Sequence, residues 1–345
     1  MRPRTIQFFG LAILLFSLSV DPGIDSTNHP VTAHELPARP ADEQEPAKVH
    51  AVIRNVDMHI TDRIVVHINS LQGMLVPTQQ NEIPNFDNKN SFAFDVQSAS
   101  LFLSTTALSS DLNDYVFVHP GAPLKKLEAS VKDNELVVKG LLVSKGGIPF
   151  ESDGTVSLTP DGQIRIHTDK VKAAGIPVKG LMDILGLETS KLISTKKVNG
   201  VSVDKDDLIL NPEEILPPPA IHGTLTGIQV RPRGVELKFG NGEAAGAEKS
   251  NPCGGRNFIA LKGGSIRFGK LTMSDADVEL VDSDPGSVFD FSLDHYNEQL
   301  VAGYAKSTAQ QGLCVHLPDF ERLRQNRNPG TKQSATAMKR NAANP

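Results

Sequence analysis

The stretch GTVSLTPDGQIRIHTDKVKAAGIPVKGLMDIL, Gly154 to Leu185, changes the spacing of its apolar residues partway along. On both sides of the turn Pro160-Asp161-Gly162, apolar residues alternate with polar ones, which is typical of a β-hairpin with one buried face. The alternating residues are Val156, Leu158, Ile164 and Ile166. Farther on, the apolar residues take helical spacing, and they are Leu181, Ile184 and Leu185. The stretch therefore predicts a hairpin followed directly by a short apolar helix.

An earlier segment has the same order of elements. Residues 91–104, SFAFDVQSASLFLS, alternate like a strand. Residues 105–117, TTALSSDLNDYVF, then change to near-helical spacing, with Ser109 or Ser110 as the predicted N-cap. The apolar residues of this predicted helix are Leu108, Leu112 and Tyr115. Each helix thus follows strands directly, which is unusual for a chain that otherwise alternates.

Most of the chain between residues 49 and 240 alternates with period two, and 28 Gly and 23 Pro supply many turns. The residues of the first predicted strand that should face a core are Val52, Val56, Met58 and Ile60. Asp62 marks the turn after this strand. The chain is therefore predicted to be an α+β protein rich in β-structure, with a strongly curved antiparallel sheet and short helices.

The composition narrows the class of partner. The 345 residues carry a formal net charge of −5, and they include no Trp and three Tyr. This charge gives no general attraction to phosphate, and so few aromatic rings offer little surface for stacking bases. Nucleic acid is therefore not an expected partner, and no motif for a cofactor is present.

The N-terminus predicts export. Arg2 and Arg4 precede an apolar run from Ile6 to Val20, which is typical of a signal peptide and short for a membrane span. Residues 1–20 are therefore predicted to be a signal peptide or an N-terminal anchor, the anchor being residues 6–20. Residues 21–48 are rich in Pro and acidic residues and are predicted to be a flexible spacer. The protein is expected in the periplasm or cell envelope.

Cys253 and Cys314 are the two cysteines of the chain. In an oxidising compartment an even count favours one disulfide, which would close a loop of about 60 residues and stabilise the fold by about 4 kcal/mol. The alternative is a pair of buried thiols.

The C-terminal third is less regular. Residues 241–320 contain short alternating segments that either complete the first sheet or form a small added lobe. Residues 321–345 are polar and basic and are predicted to be a disordered tail. Two roles are open for this tail: contact with the anionic head groups of a membrane surface, at about 1 kcal/mol per basic residue, or plain exposure to solvent.

Three groups of polar residues match functional sites only in part. His59 and His67 fall on neighbouring predicted strands, but no third metal ligand accompanies them. The acidic segment SDADVELVDSDPGS lacks the ligand spacing of a calcium loop. Ser292 with the pair Asp294-His295 lacks the motif that exposes a serine nucleophile. The sequence therefore predicts no metal site, no catalytic residues and no enzyme.

The order of elements resembles that of a known family. Strands, a short helix, long hairpins, GIPVKGLMDIL and then DDLILNPEEILPPPAIHGTLTGIQV are similar to the LmeA-like exported lipid-binding proteins of bacteria. These belong to the tubular lipid-binding, or TULIP-like, group, and the resemblance covers residues 52–240. It implies a bent antiparallel sheet that wraps a helix, with acyl chains in the apolar space between them.

The resemblance implies a groove lined by the two predicted helices and the hairpin. The predicted groove residues are Leu108, Leu112, Tyr115, Val156, Leu158, Leu181, Ile184 and Leu185. Each methylene moved from water into such a groove contributes about 0.8 kcal/mol, so binding an acyl chain needs no distinctive polar motif. From spacing alone, these residues could equally close a dry core.

The leading hypothesis is therefore an exported, non-enzymatic protein whose partner is a lipid or another long-chain apolar ligand. One alternative is a structural or interaction protein of the envelope, whose protein partners the sequence does not identify. The second alternative is a hydrolase that acts on envelope lipid or polysaccharide. A packed interior would favour the first alternative, and a cleft with convergent Asp, His or Ser would favour the second.

Overall fold

The computed structural model describes residues 48–143, 146–178, 198–240, 252–309 and 312–327. In these residues the protein is β-rich, as predicted, with two mainly antiparallel sheets and few short helices. We call the eleven-stranded sheet the large sheet and the seven-stranded sheet the small sheet.

The large sheet combines strands from both ends of the described chain. Its strands are β1 (Val49–His59), β2 (Val65–Pro77), β3 (Phe92–Ser104), β11 (Ala220–His222), β12 (Leu225–Arg231), β13 (Gly234–Gly240), β14 (Phe258–Phe268), β15 (Leu271–Asp282), β16 (Phe289–Ser292), β17 (Tyr304–Ser307) and β18 (Leu313–Leu317). Its main path is β12-β13-β3-β2-β1-β14-β15-β18-β17, while β11 pairs with β3 and β16 with β1. The pairs β1/β16, β3/β11 and β15/β18 are parallel, and the others are antiparallel.

The small sheet is antiparallel throughout and comes from the middle of the chain. Its strands are β4 (Leu124–Lys132), β5 (Glu135–Leu142), β6 (Ile148–Leu158), β7 (Ile164–Ala173), β8 (Ile176–Val178), β9 (Val201–Asp204) and β10 (Asp207–Leu210). They are ordered β4-β5-β6-β7-β10-β9, and β8 pairs with β7. Strands β6 and β7 form the predicted hairpin, with Leu158 opposite Ile164.

A single left-handed residue decides which face of β1 is buried. The buried residues of β1 are odd-numbered up to Ile53 and even-numbered from Val56 to Met58. Asn55 lies between them with a φ of 50°, and the alternation moves by one position there, while the register with β2 does not shift. The prediction that Val52 faces the core is therefore wrong. Val52 is half-buried and lies on the opposite face of β1 from the buried Ala51 and Ile53.

The described helices are short. The predicted helix after β3 is confirmed as α1 (Thr105–Asp111), which continues into a π-helical turn (Leu112–Val116). Its N-cap is Ser104, whose Oγ accepts the Ala107 N–H at 3.1 Å, and neither Ser109 nor Ser110. The other helices are α2 (Tyr296–Ala302) and α3 (Phe320–Arg327). The second predicted helix, with Leu181, Ile184 and Leu185, lies outside the described residues.

The strands after residue 241 complete the large sheet and form no separate lobe. Strand β14 pairs with β1, while β13 pairs with β3 on the other side of β2. All described residues belong to one compact unit, Glu45–Pro345. The predicted boundary at residue 240 therefore falls inside the large sheet. The segment that forms a second sheet is instead residues 124–210.

Two structural findings bear on the termini. Helix α3 includes residues 321–327, the beginning of the segment predicted to be a disordered tail. The disulfide Cys253–Cys314 is confirmed, with its Cα atoms 5.7 Å apart, and it ties the chain before β14 to β18. The predicted signal segment, residues 1–20, and the spacer up to residue 47 lie outside the described residues.

Buried apolar side chains form two cores. The larger core belongs mainly to the large sheet and also contacts the hairpin residues Val156 and Leu158. The smaller core lies between the π-helical turn and the small sheet, and includes Leu124 and Leu142. Tyr115 is half-buried and packs against both cores. An apolar cavity borders this smaller core.

Candidate apolar-ligand site

An apolar cavity lies between helix α1 with its π-helical turn and one face of the small sheet. The residues that line it are apolar except for Asp111, Ser152 and Gly154. The apolar lining consists of Leu108, Leu112, Val116, Phe117, Leu124, Leu127, Ala129, Leu136, Val138, Leu142, Phe150, Ile166, Val201, Leu208, Leu210 and Ile215. A surface of this kind favours hydrocarbon over water or polar solutes.

The helical wall is aligned by an unusual last turn. Leu108, Leu112 and Val116 face the cavity at intervals of four residues, which would drift around an α-helix of 3.6 residues per turn. The Phe117 N–H donates to Leu112 O at 2.9 Å, an i to i+5 bond that widens the turn. This wider turn offsets the drift, so the three side chains stay on one side.

The sheet wall is aligned by alternation and one bulge. Leu136, Val138 and Leu142 lie on one face of β5 because side chains point to alternate sides of a strand. On β4 the lining residues Leu124 and Leu127 are three positions apart. The register of β4 with β5 shifts between residues 125 and 128, and Lys126 has a φ of 52°. This bulge returns Leu127 to the face of Leu124.

The side chain of Asn113 fastens the π-helical turn to this bulge. Its Oδ1 accepts the Leu127 N–H at 2.9 Å, and its Nδ2 donates to Leu127 O at 2.7 Å. The amide therefore pairs with both backbone groups of Leu127, as a neighbouring strand would do. Ser109 adds a second contact, because its Oγ accepts the Ala129 N–H at 2.9 Å. These bonds fix the distance between helix and sheet.

Gly140, which has no side chain, also shapes the sheet wall of the cavity. A Cβ atom there would come within 2.6 Å of Leu127 Cδ2 and 3.0 Å of Phe150 Cε1. Leu127 and Phe150 therefore close over Gly140 and form a continuous apolar surface. Any larger residue at position 140 would push one of them into the cavity.

The cavity is small and partly open. The enclosed volume of the cavity is about 120 Å³. All the space between its wall atoms, with the open mouth included, is about 1040 Å³. An apolar cavity of about 150 Å³ in an engineered protein stays dry and binds benzene. The enclosed part therefore has room for a short length of hydrocarbon, and a longer chain would extend into the mouth.

Among the described residues of the lining, Asp111 is the one that is ionisable. It ends helix α1, is only 4 % exposed, and its Oδ1 has no hydrogen-bond partner among the described residues. Burial raises the pKa of this carboxyl to about 8, and the charge of Asp114 raises it further in the same direction. The carboxyl is therefore mostly protonated at neutral pH. Burial and the charges of Asp111 and Glu214 also raise the pKa of Tyr115.

The predicted groove residues fall into three groups. Leu108 and Leu112 line the cavity. Tyr115 packs against both cores, and Val156 and Leu158 pack against the larger core; none of the three is in the lining. The remaining three, Leu181, Ile184 and Leu185, lie outside the described residues.

Most of the lining was not predicted from the sequence. The missed residues come chiefly from β4, β5, β6 and β10, together with Phe117, Ile215 and Asp111. The alternation of Leu136, Val138 and Leu142 could have shown that these residues share one face. Only the position of the helix shows that this face, and not the other, borders a cavity.

The polar groups noted in the sequence contact other residues of the described chain. The Ser292 side chain is fully buried and its Oγ accepts the His295 N–H, while the His295 ring contacts Asp62 and Glu298. Within the described ranges, no cluster of three His, Cys, Asp or Glu side chains has the geometry of a metal site. His59 pairs instead with Asp290, at 2.6 Å.

Two observations concern location. The disulfide indicates an oxidising compartment of the kind that exported proteins reach. Among the described helices, none is long and apolar enough to span a membrane.

Comparisons with known protein families, with curated proteins and with solved structures return no match for this chain.

Proposed function

We propose that the protein is an exported lipid-binding or lipid-transfer protein of the cell envelope, which holds the end of an alkyl chain in the cavity under helix α1. The observation that supports this most directly is the apolar cavity, whose lining includes one ionisable residue. The strongly curved, TULIP-like arrangement expected from the sequence belongs to the same proposal, since a helix laid across a curved sheet leaves such a gap.

The size of the cavity sets the strength of binding. Benzene fills about 150 Å³ in the engineered cavity mentioned above, so the enclosed 120 Å³ corresponds to about five carbons. At about 0.8 kcal/mol per methylene, this burial contributes roughly 4 kcal/mol, equivalent to a Kd near 1 mM. Tighter binding requires further contacts at the mouth or a polar contact inside.

The test is uptake by the purified full chain of a fluorescent fatty acid whose alkyl end is free, 2-(dansylamino)undecanoic acid. Val138→Phe places an aromatic ring in the cavity from strand β5, and we expect it to weaken uptake at least tenfold. The matched control is Val118→Phe, because Val118 is 59 % exposed and does not line the cavity. The control should bind like the unaltered protein.

Equal uptake by both variants would mean that the probe binds elsewhere. No uptake by the unaltered protein, with no lipid extracted from it by organic solvent, would rule out the proposed function. It would leave the cavity as a packing defect in a structural envelope protein.

A further inference from the structure

Asp111 is a buried carboxyl with one oxygen, Oδ1, that has no hydrogen-bond partner among the residues that the structure describes. It is 4 % exposed and it lines the cavity. Leaving such a group unpaired costs about 1–3 kcal/mol. Leu or Met could close the end of helix α1 without this cost. A carboxyl group at this place is therefore better explained by a contact that the protein makes with a ligand.

The surroundings of Asp111 keep its carboxyl neutral. Burial and the nearby Asp114 raise its pKa to about 8, and the charge of Asp114 is itself paired with Arg63 at 3.2 Å. The other titratable groups on this side are Tyr115 and Glu214. Among the described residues no cation is paired with Asp111, and both causes of its pKa shift, burial and the charge of Asp114, disfavour the ionised form.

The opposite wall adds no charge either. Strands β4, β5 and β6 contribute apolar side chains, one glycine and Ser152 to the lining. None of their charged residues lines it: Lys125, Glu128 and Lys139 are exposed, and the half-buried Glu151 is paired with Lys139 and Lys172. A neutral carboxyl in such a site offers one O–H donor. Its best partner is a neutral acceptor, because a charged ligand would have to lose its hydration in the same apolar space.

From these contacts we propose that Asp111 is the polar anchor of the cavity, and that it donates a hydrogen bond to the carbonyl oxygen of an acyl ester or amide whose alkyl chain occupies the apolar lining. This inference rests on the proposed function and makes it more specific: the ligand is an esterified or amidated acyl chain. A hydrocarbon without a carbonyl group would enter the cavity but leave the anchor unused.

The test compares two neutral ligands with the same number of non-hydrogen atoms, methyl decanoate and tridecane, in solutions of the full chain. Binding is followed by ¹³C-methyl NMR through the resonances of Leu112 and Leu127, which report the cavity itself. At pH 6 we expect the ester to bind about tenfold more tightly than the alkane, the size of one hydrogen bond. At pH 9.5 the ionised carboxyl can no longer donate, and this preference should disappear.

Two variants isolate the anchor. Asp111→Asn keeps an N–H donor, so it should keep the preference for the ester at both pH values. Asp111→Leu should bind both ligands equally while still taking up tridecane. The control is Asp114→Asn, one turn away and exposed, which should keep the preference at pH 6.

The outcomes separate the two proposals. If the unaltered protein binds neither ligand, the proposed function fails. If it binds both with equal affinity, or if Asp111→Leu keeps the preference for the ester, the cavity function stands and the role of Asp111 is overturned. Thermal unfolding of each variant shows that it is folded, and Asp111→Asn provides the decisive comparison if Asp111→Leu does not fold.

Discussion

At the scale of single residues, Asp111 makes the stability of the protein depend on pH. Its pKa in the folded state, about 8, is raised above the ordinary value of 3.8. The folded protein therefore holds a proton that the unfolded chain releases, and stability falls as pH rises between these two values. The loss is at most about 1.4 kcal/mol per pH unit.

Asp111→Asn removes this titration. We expect the free energy of unfolding of the variant, measured with urea from pH 5 to pH 8, to fall less steeply than that of the unaltered protein. The difference in slope should approach one proton, and the variant should be the more stable protein at pH 8. Glu128→Gln, an exposed change on β4, is the control and should keep the original slope. Parallel curves for Asp111→Asn and the unaltered protein would contradict this account.

Residue-scale predictions from the sequence failed where one residue changes the phase of a strand. Alternation placed Val52 in the core, but the left-handed Asn55 moves burial to Ile53 and Val56. An Asn between two apolar runs does not by itself indicate a left-handed residue that changes the phase of the strand. Asp111 was also missed, since a carboxyl between Ser110 and Leu112 looks like any exposed helical residue until the sheet that covers it is known.

At the scale of elements, the docking of the π-helical turn on β4 depends on Asn113. Asn113→Ala leaves the N–H and the C=O of Leu127 unpaired in a half-buried place, which should cost roughly 2–3 kcal/mol of unfolding free energy. The variant should also lose uptake of the fluorescent fatty acid, because the helix no longer holds its distance from the sheet.

The matched control for this prediction is Asp114→Ala in the same turn. Asp114 makes an exposed ion pair with Arg63, so its loss should cost less than about 1 kcal/mol. Chemical unfolding of both variants gives the comparison. A cost for Asn113→Ala no larger than for Asp114→Ala would show that the amide does not hold the turn.

Element types were predictable, whereas their partners were not. The hairpin of β6 and β7 and the helix after β3 could be predicted from the spacing of apolar residues, because the strand period of two and the helical period of about 3.6 are local properties of the sequence. The division into two sheets was not predictable, since strands look alike whichever sheet they join. Pairing of β1 with β14 depends on contacts about two hundred residues apart.

At the scale of the whole molecule, the disulfide holds the C-terminal strands to the rest of the large sheet. It links residues 61 positions apart, and the chain-entropy estimate for a loop of this length is about 4 kcal/mol. The variant Cys253→Ala/Cys314→Ala should therefore unfold in urea with a free energy lower by roughly that amount. Dithiothreitol should destabilise the unaltered protein equally and leave the variant unchanged. A variant as stable as the oxidised protein would contradict this role.

The whole account depends on whether the space beneath helix α1 holds hydrocarbon when the protein is made in its own compartment. Native mass spectrometry of the exported protein, purified without detergent, tests this most directly. We predict an added mass of one acylated lipid per chain, which is lost in Val138→Phe and retained in Val118→Phe. A bare protein mass, together with an organic extract that contains no lipid, would contradict it.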